Sequence, residues 1–194
     1  MREHEAEMTG IVAFIKELER LKDTHRTAWT KEGRRESVAE HTWRLSMFAF
    51  ILEDYFPGVD FNKVIRICLV HDLGEAYEGD TSATIAVDQA RKLRVEEDAI
   101  AKLTEPLNGS LRRKIIELWR EYNDMQTVEA KIAKALDKME TIIQHNQGNN
   151  PEHFDYAFNL RYGKNLADFD TLIRTVRRIV DQDTASRLAG GKPV

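Results

Sequence analysis

The run VIRICLVHDLGEAYEGD, residues 64–80, leads from a largely apolar segment straight into a histidine and a cluster of acids. Read as a helix, it sets His71 seven residues after Val64 and four after Ile67, and Asp72 seven after Ile65 and four after Cys68. Both polar side chains then point where apolar neighbours point. An unpaired carboxylate there costs several kcal/mol, so it requires a cation, a strong hydrogen-bond network or access to water. The chain must fold around a buried ionic site, and a metal ion is the simplest partner for it.

The rest of the pattern is helical. Ile11, Phe14, Ile15, Leu18 and Leu21 repeat at three and four and predict a helix over 9–22. A polar connection, DTHRTAWTKEGRRE, follows. Ser37 and Glu40 have the spacing of a capping box and open a helix to about Tyr55. Pro57 and Gly58 break the chain, and Asp60 caps a helix from Phe61 to about Leu73. Further helices are predicted over 84–104, 109–122, 127–146, 151–160 and 166–188, the fourth of these opened by Asn150 and Pro151. No period-two alternation and no hairpin dipeptide competes. The fold class is therefore all-α: a helical bundle of about seven or eight helices, with 194 residues suiting a single domain over 1–194.

Composition excludes several classes. A formal charge of −4 argues against a nucleic acid polymer as partner, and the cluster Arg174, Arg177, Arg178 reads as a solvated helix face. No apolar stretch is long enough for a signal peptide or a membrane span, so no membrane partner is expected. The one cysteine, Cys68, lies in an apolar run and reads as a reduced core residue, which suits the cytoplasm.

A metal needs donors from other helices, and two supply them. His41 shares a face with Val38, Leu45 and Phe48. Asp137 lies beside the stripe Ile132, Leu136, Met139, Ile143, on a line with Ala130, Ala133, Thr141 and Gln144. His41, His71, Asp72 and Asp137 make a two-histidine, two-carboxylate set with no thiolate. Such a set suits one divalent ion, Mn²⁺, Co²⁺, Fe²⁺, Ni²⁺, Zn²⁺ or Mg²⁺, without choosing among them. Each of these residues taken alone reads better as a satisfied core group, and it is their combination that points to a metal.

The segments SVAEHTWR, CLVHDLGEAYEGD and KALDKME together resemble the HD-domain metal-dependent phosphohydrolases, over about residues 10–160, with the helix at 166–188 beyond. HRTAW, ESVAEH, HDLGEAYEGD and LDKME look more specifically like the 5′-deoxynucleotidase branch. The resemblance implies an HD domain that hydrolyses a nucleoside 5′-monophosphate to nucleoside and inorganic phosphate. It implies catalytic roles for Glu75 and Asp80, beside the metal, in activating water and assisting the leaving group. It also implies that Arg26 contacts the phosphate and Trp29 the sugar. Against these stand plainer readings: a helix-end acid for Glu75, a helix cap for Asp80, a surface ion pair for Arg26 and simple packing for Trp29.

Other HD enzymes cleave triphosphates or cyclic nucleotides, and a silent nucleotide-binding protein could keep the metal for stability alone. Two-metal members need extra inward histidines between the His-Asp pair and the last aspartate; none occurs between His71 and Asp137, which favours one ion. His145 and His153 read as helix-end and surface residues. Tyr156, Phe158, Leu160 and Tyr162 have no obvious internal partner, and a homodimer is expected, as is common in the family.

Overall fold

The computed structural model describes residues 2–81 and 88–190. Within them the chain forms seven α-helices of ten residues or more, three single-turn α-helices, two 3₁₀ turns and one small hairpin. Helix α1 spans Arg2–Glu17 and the single turn α2 spans Arg20–Asp23, so the helix expected over 9–22 begins earlier and breaks at residues 18–19. Strands β1 (His25–Trp29) and β2 (Arg35–Ser37) follow. Next come α3 (Val38–Leu52), α4 (Phe61–Val70), the turn α5 (Glu75–Glu78), α6 (Gln89–Leu103) and α7 (Gly109–Asp124). The last elements are α8 (Val128–Gln147), the turn α9 (Tyr156–Asn159) and α10 (Thr171–Leu188). No helix among the described residues is long and apolar enough to cross a membrane.

Helix starts follow side-chain caps. Ser37 and Glu40 form the full capping box on α3, and Asp60, Asp88, Asn108, Thr127 and Asp170 each accept a backbone N–H in the first turn of the helix that follows. The expected start of a helix at 84 falls among residues 84–87, outside the described residues. No helix begins at Pro151: the chain turns through 151–155, and Asp155 instead caps the short α9. The final helix likewise starts at Thr171 rather than 166, behind a 3₁₀ turn at Lys164–Ala167.

Helix α8 runs through the centre, packed against α3, α4, α7, α10 and β1. Its apolar side chains Ile132, Leu136 and Met139 join Leu45, Phe61 and Ile67 in the main core. A second cluster, with Leu21, Val38, Ile100, Leu103 and Trp119, lies under α1 and α6.

The segment read as a polar connection, residues 23–36, holds a hairpin that the expectation of an all-α chain without strands did not include. β1 pairs antiparallel with β2, His25 opposite Ser37 and Trp29 opposite Arg35, with a register shift between. Along β1 it is Arg26 and Ala28 that turn inward. Five residues with an arginine on the buried face give no apolar alternation, which is why the strand leaves no trace in the sequence pattern. The hairpin is held to the end of α8: the Gln144 amide donates to the Trp29 carbonyl and the Asn149 N–H to the Thr30 carbonyl. At this junction a β-carbon on Gly148 would stand 2.2 Å from the Trp29 oxygen.

Gly148→Ala must therefore push β1 away from α8. The expected cost is roughly 1–3 kcal/mol of stability, read as a lowered urea midpoint. An unchanged midpoint would show that the strand can slide without loss.

Candidate metal centre and catalytic pocket

The site is assembled where α3, the end of α4 and the middle of α8 meet. His41 sits in the first turn of α3, His71 directly follows α4, and Asp137 projects from α8; all three are buried. The imidazole Nε2 atoms of His41 and His71 approach to 3.3 Å. Asp72 Oδ2 lies 3.0 Å from His71 Nε2 and 3.7 Å from His41 Nε2, while Asp137 Oδ1 lies 3.2 Å from His41 Nε2 and 3.9 Å from His71 Nε2.

The outer nitrogens decide what these inner atoms are. His71 Nδ1 is 2.7 Å from the Cys68 carbonyl, which only accepts, so Nδ1 carries the hydrogen and the neutral ring presents a lone pair at Nε2. His41 Nδ1 bonds the Glu140 carboxylate and is oriented the same way. Arg44 fixes Glu140 in turn, donating from Nε at 2.6 Å. Two lone pairs and two carboxylate oxygens thus face one small volume, an arrangement that repels itself until a cation enters. His41, His71 and Asp137 can together offer donor atoms to one ion, with Asp72 beside them. The donors fit a divalent ion, and the tethered outer nitrogens are the usual support of metal-binding histidines.

Around this centre opens a cavity of about 960 Å³, lined among others by Arg26, Trp29, Glu75, Asp80, Lys134 and Phe154. All eight residues singled out from the sequence come together except that His41 lies behind the wall rather than on it. Arg26 is buried; its Nη1 is 3.4 Å from Asp72 Oδ2 and its Nη2 donates to Thr141 Oγ1 at 2.8 Å. Burial works against its charge, but Asp72, Glu140, Asp137 and Asp80 outweigh that and hold it firmly protonated. A surface ion pair is thereby excluded for Arg26. Glu75 is also buried, and its Oε2 has no hydrogen-bond partner among the described residues. Burial, then the charges of Asp72 and Asp80, raise its pKa well above the ordinary carboxylate value. Asp80 accepts from the Thr27 N–H at 3.3 Å. The Trp29 ring meets Phe154 edge to face at 6.2 Å.

Several residues here were not anticipated. Glu140 lies three residues after Asp137, and its spacing on the inner face of α8 was the one available signal. Tyr122, closing α7, donates its hydroxyl to Asp137 Oδ2 and gave no such signal. Glu36 is buried with Arg26 Nε at 3.4 Å; burial and Glu140 push it up to about 7. His145 is not a free helix end: it is buried, 2.9 Å from Asn159 Oδ1, with its ring against Phe154. Arg177 likewise leaves the solvated face assigned to it, is buried, and donates to the carbonyls of Tyr162 and Asn159. Tyr156, Phe158 and Tyr162 have internal partners after all: Phe158 stacks on Tyr162 at 5.0 Å, and the Tyr156 hydroxyl bonds Asn150 and Arg187.

Known proteins resemble this chain in sequence and in fold. The profile of the HD domain matches residues 18–177. A 5′-deoxynucleotidase HDDC2 from Danio rerio is 37% identical over 139 residues, covering 71% of this chain and 68% of that protein. The 5′-deoxynucleotidase hdd1 of Schizosaccharomyces pombe is 34% identical over 170 residues, 84% of this chain and 81% of that one. Among solved structures, one described as a predicted metal-dependent phosphohydrolase from Magnetospirillum magnetotacticum superimposes with a TM-score of 0.80 at 26% identity, covering 97% of both chains.

Without an ion, burial and Arg26 depress the His41 imidazole, but Glu140 and Asp137 more than offset them and its pKa stands at about 10. At neutral pH the ring then carries a proton that an entering ion must displace. Divalent-ion affinity should rise with pH through the range from about 6 to 9, with proton release on loading. Titration calorimetry in buffers of different ionisation enthalpy measures this; a pH-independent affinity would contradict it.

Proposed function

The chain belongs to the HD domain family, and on that footing we propose that it is a metal-dependent phosphomonoesterase acting on deoxyribonucleoside 5′-monophosphates. The products are the nucleoside and inorganic phosphate. One observation carries the reading: a buried carboxyl, Glu75, whose Oε2 has no hydrogen-bond partner among the described residues, opens into the same cavity as a self-repelling set of metal donors and a buried arginine. The relatives named 5′-deoxynucleotidase supply the substrate class.

His41, His71, Asp72 and Asp137 would hold one divalent ion. Bound there, such an ion supplies a water of lowered pKa and neutralises charge on the phosphoryl oxygens. The chain's own groups do the rest. Hydrolysis joins a water oxygen to phosphorus and breaks the bond to the 5′ oxygen, so a proton must leave the water and one must reach the departing oxygen. Glu75 is suited to take the first, because burial and two neighbouring carboxylates make it unusually basic. Asp80 is one of those neighbours, and the pair can hold a proton between water and leaving oxygen. Arg26 orients the phosphate; its guanidinium is already fixed by Thr141 and Asp72. Trp29 and Phe154 offer apolar ring surface to the nucleoside.

We place this enzyme in the cytoplasm as a homodimer. A buried, unpaired Cys68 supports the compartment. For assembly, Trp43, Met47, Phe50 and Ile51 stand exposed at helical spacing on α3, continued by Tyr55. A stripe of this size on one helix suits an interface with a second copy. Light scattering should read twice the chain mass; a mass near 22.4 kDa at micromolar concentration contradicts the dimer.

Glu75→Gln should retain the ion by elemental analysis while kcat for a deoxynucleoside 5′-monophosphate falls by about 10²–10⁴-fold. Because Glu75 must be unprotonated to accept a proton and its pKa is raised, the wild-type rate should fall with decreasing pH well above the ordinary carboxylate range. That limb should vanish in the variant. Near-normal turnover in Glu75→Gln would remove this residue from the mechanism.

A further inference from the structure

The cations around the cavity are not equivalent. Lys92 is paired with Glu96 at 3.2 Å, Lys138 with Asp137 at 2.8 Å, and Arg26 with Asp72 and Glu36 at 3.4 Å each. Lys134 lines the same cavity and has no carboxylate within 4.0 Å among the described residues. Its ammonium instead stands 3.7 Å from the centre of the Tyr122 ring. That ring is held firmly: its hydroxyl is bonded to Asp137, and its centre lies 5.0 Å from that of the His71 imidazole.

The placement follows from helix geometry. Lys134 precedes Asp137 by three residues on α8, so both side chains leave the same face about one turn apart. Arg26 approaches the metal donors from β1, on the side of Asp72. Lys134 approaches from α8, on the side of Asp137. Burial, and then Lys138, push the Lys134 pKa down to about 8 despite opposing attraction from Asp137 and Asp72. The group is thus a partly dehydrated cation that, among the described residues, has a ring face rather than a carboxylate beside it.

We propose that Lys134 is a phosphate-binding residue, whose ammonium takes an oxygen of the substrate phosphoryl group and of the inorganic phosphate product, across the cavity from Arg26. The proposal rests on the phosphomonoesterase reading for its ligand. Opposed cations would fix the phosphoryl group from two sides while the metal donors and Glu75 approach it from others. An ammonium is a point charge, suited to following an oxygen that moves as the phosphoryl group inverts.

The test uses metal-loaded protein. In the wild type, the Lys134 side-chain signals in heteronuclear NMR should shift when inorganic phosphate is added, and the ammonium pKa should rise. This titration does not depend on turnover. If the wild type hydrolyses no nucleoside monophosphate yet Lys134 still responds to phosphate, only the functional reading fails. Lys134→Met should weaken phosphate inhibition and raise KM by roughly ten- to a hundred-fold, with metal content unchanged, and Lys134→Arg should recover part of that loss. A purely structural cation–π role predicts a lowered melting temperature with phosphate inhibition and KM unchanged. That result, or a Lys134 signal indifferent to phosphate, overturns the proposal.

Discussion

The structure depends on the repulsion built into the facing donors of His41, His71, Asp72 and Asp137. Each imidazole has its outer nitrogen committed, one to a backbone carbonyl and one to Glu140, so the inner nitrogens cannot turn away. Lone pairs and carboxylates are pressed together in a space sheltered from water. A positive charge must occupy it, as a proton on His41 or as a metal ion, and the surrounding helices hold the donors in place for either. Burying such a set is unfavourable by itself. The apolar packing of α8 against α3, α4, α7 and α10 offsets the cost.

A second layer of charge surrounds the first. Buried Arg26, Glu36 and Glu140, with the half-buried Arg44, form a network linking β1, β2, α3 and α8. This network ties the small hairpin to the metal donors, since Arg26 reaches both Glu36 and Asp72. Burial and the nearness of Glu140 lift Glu36 to about 7, against the opposing pull of Arg26 and Arg44. The hairpin thus works as the inner wall of a cavity that carries Arg26 and Trp29, and Gly148 permits its close approach to α8. On the far wall, Tyr122 joins α7 to Asp137 and carries Lys134 over its ring.

Much of this was legible in the residue pattern. Apolar spacing and caps located α3, α4, α7 and α8 to within a few residues, because amphipathic helices and their first turns are specified locally. The inward positions of His41, His71 and Asp137 followed from the same periodicity. The reading failed where local rules lost to tertiary packing. Asn150-Pro151 is a good helix start that the chain does not use, since residues 151–155 instead carry Phe154 across the cavity against Trp29 and His145. Arg177 resembled a solvated charge until the carbonyls of Tyr162 and Asn159 were found beside it.

The sequence by itself determined an all-helical frame and a set of buried donors that demand a cation, because both follow from the spacing of side chains along single helices. Only the tertiary structure decided which groups face those donors. Glu140 orients His41 across 99 residues of chain, and Arg26 reaches Thr141 across 115. Among the described residues Lys134 has no carboxylate partner, while its neighbour Lys138 takes Asp137. Contacts between distant segments depend on how α3, α8 and β1 approach one another, and no periodicity within any one of them contains that distance.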